Sequence, residues 1–64
     1  MISPLASVDS AAKIGKNVTI QPFAYIEGDV EIGDDCVIMS NASILKGTRL
    51  GKGNKVHHGA VLRS

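Results

Sequence analysis

Few side chains in this sequence could do chemistry, and the adjacent pair His57-His58 is the most inviting. An imidazole accepts a proton near neutral pH and is a common metal ligand, so either ring could act as a general base or hold a cation. A zinc-type site needs about three ligands converging from different strands, and the chain has no third histidine. Adjacent exposed positions also splay their rings apart, which favours two surface histidines. Cys36 is the lone cysteine. A nucleophilic thiol needs exposure and a neighbouring base. Its place in the pattern described below instead makes it a small buried hydrophobe. Asp34-Asp35 could form a carboxylate pair, but it aligns with Lys16-Asn17 and Lys52-Gly53 and reads as a solvated turn. Gly15, Gly33 and Gly51 lack both the following helix and the Lys-Ser/Thr ending of a phosphate loop. No catalytic or metal-binding residue and no cofactor is therefore assigned, and His57 and His58 remain the only substrate-binding candidates.

The elements that would carry these residues must be built from little. The chain has 64 residues, seven Lys+Arg against six Asp+Glu, and two large rings, Phe23 and Tyr25. Near-neutral charge argues against a nucleic-acid or anionic-membrane surface. No apolar run is long enough for a transmembrane helix, and Met1-Ile2-Ser3-Pro4 does not open like a signal peptide. One cysteine permits no intrachain disulfide and suits a reducing compartment. A chain this short leaves little net stability for one compact core. What remains is a core of repeated small aliphatic layers.

Periodicity supplies them. Every sixth residue from Ile2 is aliphatic: Ile2, Val8, Ile14, Ile20, Ile26, Ile32, Ile38, Ile44, Leu50, Val56, Leu62. A second column, four residues on, is small or β-branched at Ala6, Ala12, Val18, Ala24, Val30, Cys36, Ala42, Thr48 and Ala60, with Asn54 its polar exception. All charged residues fall outside both columns. Positions i+4 and i+6 share one strand face, after which the chain must turn. Ile14-Gly15, Ile32-Gly33 and Leu50-Gly51 recur every 18 residues, followed by Asn17, Asp35 and Gly53. Gly, Asn and Asp tolerate φ > 0, so these positions read as turns. Three hexads then make one circuit, and equivalent residues stack. The expected fold is all-β, a three-sided parallel β-helix of about three and a half coils, spaced by about 4.8 Å. Each coil buries its aliphatics only against its neighbours, so terminal coils need caps. Pro4, which lacks an N–H, is expected to blunt the first coil. Residues 1–64 read as the N-terminal part of a β-helix domain that continues beyond Ser64. The columns leave handedness open, and the general crossover preference favours a right-handed coil.

The hexad resembles the hexapeptide-repeat pattern of left-handed β-helix acyltransferases over the whole chain. A narrower resemblance is to the acyl-ACP–UDP-N-acetylglucosamine O-acyltransferases of lipid A biosynthesis, at their N-terminal end. It is carried by Met1-Ile2-Ser3-Pro4-Leu5-Ala6, Ile14-Gly15-Lys16-Asn17-Val18, Pro22-Phe23, Val30-Glu31-Ile32-Gly33, Ile38-Met39-Ser40-Asn41-Ala42 and Leu50-Gly51-Lys52-Gly53-Asn54. Gln21 departs from the family's usual Gly before Pro-Phe, and Leu62-Arg63-Ser64 replaces an aliphatic-Gly step. The resemblance implies a left-handed coil and a cytoplasmic homotrimer. It implies transfer of a hydroxyacyl chain from acyl carrier protein to the sugar 3-hydroxyl of UDP-N-acetylglucosamine. The family's histidine general base and its sugar-contacting segment have no counterpart here, so these coils alone are expected to be inert. Alternatives are another hexapeptide acetyl- or acyltransferase, a carbonic-anhydrase-like metal enzyme of related fold, and a non-catalytic assembly module. An ice-binding solenoid needs a flat threonine array, and only Thr19 and Thr48 are present. Phe23 and Tyr25 lie outside the inward columns, as a contact to another subunit, a contact to a C-terminal domain, or simply exposed rings.

Overall fold

A computed structural model describes residues Met1 to Ser64. Ten two-residue strands follow one another: β1 (Ser7–Val8), β2 (Lys13–Ile14), β3 (Thr19–Ile20), β4 (Tyr25–Ile26), β5 (Glu31–Ile32), β6 (Val37–Ile38), β7 (Ser43–Ile44), β8 (Arg49–Leu50), β9 (Lys55–Val56) and β10 (Val61–Leu62). They form three parallel sheets in the orders β3-β6-β9, β1-β4-β7-β10 and β2-β5-β8, here called faces A, B and C. An isolated bridge from Ile2 to Ile20 adds a fourth level to face A. Three circuits and part of a fourth are present, as the period of 18 requires.

Register follows the aliphatic column. Ile20 sits over Ile38 and Ile38 over Val56; Val8, Ile26, Ile44 and Leu62 stack on face B; Ile14, Ile32 and Leu50 stack on face C. The first residue of each strand points out and the second points in, because side chains alternate along extended backbone. The core is therefore a narrow shaft containing Ile20, Ile26, Ile32, Ile38, Ile44 and Val56 from the large column and Val18, Ala24, Val30, Cys36 and Ala42 from the small one. Ala6, Val8, Ala12, Ile14, Leu50, Ala60 and Leu62 pack against it from the end coils and are only partly buried.

The corners rest on left-handed backbone. Asn17, Phe23, Asp35, Asn41, Gly47, Gly53 and Gly59 all have φ between 56° and 88°, and each lies three residues after a large inward aliphatic. The turn reading of Asn17, Asp35 and Gly53 is thus met. The glycine column needs a different account. Gly15, Gly33 and Gly51 are not among the positive-φ residues; two of them are glycine because neighbouring coils come too close. A Cβ at Gly33 would lie 2.7 Å from the Gly51 carbonyl carbon and the Lys52 nitrogen, and one at Gly15 would lie 2.8 Å from the Asp34 nitrogen.

The coil is left-handed, against the right-handed crossover preference. That preference comes from twisted strands feeding a helical crossover. Here each strand is two residues long and each connection is a tight corner, so there is little twist to transmit and no crossover helix. Pro4 also differs from expectation. It lies in the exposed turn after Ile2, while the first coil's hydrogen bond at this point comes from the Ser3 N–H to the Ile20 carbonyl at 2.9 Å. Pro4 therefore removes no donor from a strand edge.

Candidate functional site

His57 and His58 follow β9 at the corner between faces A and B, and both are exposed. Neither side chain takes part in a hydrogen bond or an ion pair within 4.0 Å. His57 borders the open mouth of the shaft, a depression of about 300 Å³ that also touches Leu50, Asn54, Val56, Ala60 and Leu62. No three His, Cys, Asp or Glu side chains gather where they could share a metal ion. Asn54 is exposed and donates its amide to the Gly51 carbonyl at 3.0 Å, closing its own corner without an asparagine ladder.

Cys36 is fully buried in the small column, and its thiol donates to the Gly51 carbonyl at 3.1 Å. That partner is a backbone acceptor one coil away, so no base stands by to activate the sulfur. Asp34 and Asp35 occupy the exposed corner, where they fasten adjacent circuits. Asp34 Oδ1 accepts the Lys16 N–H at 2.7 Å, and Asp35 Oδ1 accepts the Asn17 amide at 2.9 Å. Gln21, which stands where the resemblance expects glycine, accepts the Ser40 N–H at 3.0 Å and so fastens the coil below.

A polar cluster that single-residue reasoning missed occupies the corner between faces B and C. A depression of about 350 Å³ runs there beside Tyr25, Asp9, Glu27, Asp29 and Lys46. Glu27 accepts the Lys46 N–H at 2.8 Å and the Tyr25 hydroxyl at 3.1 Å. That hydrogen bond, with the carboxylate charge behind it, raises the Tyr25 pKa above the ordinary 10.0. Arg49 grips Asp29 twice, at 2.7 Å to Oδ1 and 2.9 Å to the carbonyl, and lies 3.6 Å from Glu31. The Asp29 hydrogen bond raises the Arg49 pKa further. Asp29 is the one residue in its corner series from Asn17 onward without positive φ, and the Arg49 clamp holds this bend instead. The sequence signal was opposite charge at separations of 18 to 20 residues, which means one coil apart. Tyr25 is tied to Glu27, and Arg49 to Asp29 and Glu31, so these side chains hold the surface rather than offer a reactive centre.

Known proteins of this build extend the picture. Residues 11–42 and 29–64 match the family described as bacterial transferase hexapeptide (six repeats). The chain belongs to this family of left-handed β-helix transferases. Among its relatives are the acyl-[acyl-carrier-protein]–UDP-N-acetylglucosamine O-acyltransferases of Brucella ovis and Brucella canis, each 38% identical over 61 residues. That match takes in 95% of this chain and 22% of each relative, so the chain spans about a fifth of their length. Its backbone superposes on a UDP-N-acetylglucosamine acyltransferase from Campylobacter jejuni with a TM-score of 0.95 at 34% identity, over 97% of this chain and 25% of that one. The Arabidopsis UDP-N-acetylglucosamine acyltransferase gives 0.93 at 33% identity, over 95% and 21%. No helix of the chain is long and apolar enough to cross a membrane.

Proposed function

We propose that these coils are a scaffold segment of an O-acyltransferase. It would move a 3-hydroxyacyl chain from acyl carrier protein to the 3-hydroxyl of UDP-N-acetylglucosamine, the first step of lipid A biosynthesis. The observation that carries this reading is the TM-score of 0.95 to a UDP-N-acetylglucosamine acyltransferase over 97% of the chain. The 38% identity to O-acyltransferases, which adds acyl carrier protein as donor, supports it. The whole enzyme is read as a cytoplasmic homotrimer. In that enzyme the partly buried Leu50, Ala60 and Leu62, which border the open mouth, stack against a further coil of the same β-helix domain. His57 and His58 lie at its outer corner as surface residues.

A chimera tests the reading. Residues 1–64 replace the matching coils of the Campylobacter jejuni enzyme, and acyl transfer from 3-hydroxyacyl-ACP to UDP-N-acetylglucosamine is followed. The expected result is O-acylated product at a rate within about tenfold of the parent, while the 64 residues alone give none. A folded chimera that acylates only an amino sugar nitrogen would move the assignment to a different hexapeptide acyltransferase. Turnover by the isolated coils would end the scaffold reading.

A further inference from the structure

One corner of the solenoid is built unlike the rest. The corners are the runs 3–6, 9–12, 15–18 and so on to 57–60, each lying between two strand positions. Most hold a left-handed residue three places after the inward aliphatic. Corners 3–6 and 9–12 lack one but close on themselves, through the Ala6 N–H to Ser3 carbonyl bond at 3.1 Å and the Ala12 N–H to Asp9 carbonyl bond at 3.0 Å. Corner 27–30 has neither device. Its Gly28, Asp29 and Val30 N–H groups donate to nothing in the chain, whereas every other corner donates at least one N–H from its last three residues. Backbone that makes no bonds of its own depends on what neighbours supply.

The neighbours act almost wholly from one side. On the coil below, the Gly47 N–H donates to the Asp29 carbonyl at 2.6 Å, and Lys46 N–H to Glu27 Oε1 at 2.8 Å. Arg49 adds its fork, at 2.9 Å to the same carbonyl and 2.7 Å to Asp29 Oδ1. From the coil above, the Lys13 N–H reaches the Val30 carbonyl at 2.9 Å. A forked, charge-assisted pair is strong for its kind. It is also open to solvent, with Arg49 and Asp29 side chains 49% and 67% exposed, so dissolved salt screens it. Behind this exposed latch sits Val30, a core side chain, and beside it the depression that Ile26 and Tyr25 line.

We infer that corner 27–30 is a strap latched by Arg49, which opens as a local unit while the aliphatic shaft stays folded, and that salt favours the open form. The other corners are set by intrinsic backbone preference or by their own short-range bonds, which ionic screening leaves alone. Here the closed shape rests on an exposed ion pair and on bonds to one adjacent coil. Segments with few contacts of their own open below the free energy of global unfolding. Opening releases the Gly47 and Lys46 bonds, uncovers Val30 and widens the depression beside Ile26 and Tyr25. The device therefore turns a polar corner between faces B and C into an apolar opening. It stands on the geometry of this corner alone and is independent of the acyl-transfer reading.

Native-state hydrogen exchange of the Gly47 and Gly53 amides tests it. They are matched probes, joining the same two coils by bonds of 2.6 Å to the Asp29 carbonyl and 2.8 Å to the Asp34 carbonyl. Raising sodium chloride from about 0.05 M to about 1 M should speed Gly47 exchange at least about fivefold relative to Gly53, because the Debye length falls to about 3 Å. Arg49→Gln should speed Gly47 at least about tenfold at low salt, hold Gly53 within about twofold and abolish the salt response, as local opening requires. Arg49→Lys keeps the charge without the fork and should fall between. The same measurement by mass spectrometry on the chimera described above, comparing peptides over 45–48 and 51–54, reads the strap with further coils in place. Gly47 and Gly53 responding in step to salt would overturn the inference, since the corner would then open only with the whole molecule. A Gly47 rate that Arg49→Gln leaves unchanged would overturn it too.

Discussion

Two kinds of glycine requirement coexist in one hexad, and they separate by what surrounds each position. At Gly53 and Gly59 the backbone itself is left-handed, with φ 76° and 71°, and no atom crowds the missing side chain. At Gly33 φ is ordinary and the obstacle is the next coil's backbone, 2.7 Å from where a Cβ would sit. Backbone cannot rotate aside as a side-chain tip can. Gly33→Ala is therefore expected to cost about 1–3 kcal/mol by overpacking. Gly51 belongs to the same column, but the atom nearest its would-be Cβ is the Asn54 side-chain nitrogen at 3.9 Å. Gly51→Ala should be neutral or stabilising by up to about 1 kcal/mol through the unfolded state. Urea melts of the pair decide the matter; equal losses at both positions would remove the close-approach account.

A two-residue strand has no stability of its own, so each β element exists through its ladder and its inward side chain. Ile38 on β6 has Ile20 above it and Val56 below, and is wholly buried. Ile2 holds the same column one level above Ile20 but is 45% exposed. Ile38→Ala should cost about 2–5 kcal/mol, because truncation leaves a cavity that rigid neighbours cannot fill. Ile2→Ala should cost less than about 1 kcal/mol, since little area returns to water. Denaturation midpoints measured side by side check this; comparable losses would mean that burial along the shaft is not graded from middle to end.

At the scale of the molecule the coils are charge layers. Residues 19–36 carry Glu27, Asp29, Glu31, Asp34 and Asp35 and no Lys or Arg; residues 37–54 carry Lys46, Arg49 and Lys52 and no Asp or Glu. Oppositely charged rings are stacked, and Glu27, Asp29 and Glu31 reach across that boundary. The hexad alone would tolerate a slip of six residues. The 18-residue glycine spacing opposes such a slip sterically, and the charge rings support the observed register. Each coil depends on its neighbours, so protection should be graded along the axis. The Tyr25 and Glu27 amides bond to Ala42 and Ile44, whereas those of Ser43 and Leu45 bond to Ala60 and Leu62 on the last, partial coil. Native-state hydrogen exchange should find the first pair slower; uniform protection would indicate one all-or-none unit instead.

The aliphatic column, the small column and the 18-residue recurrence determined three flat faces, the strand positions and the inward placing of Cys36. Buried spacing is a local property that strict periodicity writes directly into sequence. The corner residues Asn17, Asp35 and Gly53 were legible for the same reason, since their backbone preference is intrinsic. Other features depended on which atoms meet across coils. The crowding at Gly33, the Asp34 bond to Lys16, the Arg49 clamp on Asp29 and the left-handed φ of Phe23 arise between or around residues that the hexad treats as free. The exposed state of His57 and His58 was foreseen, but their place beside the shaft mouth became visible only when the coils were stacked. Periodicity fixes what points inward, whereas only the closed circuit decides which outward groups become neighbours and which way the coil winds.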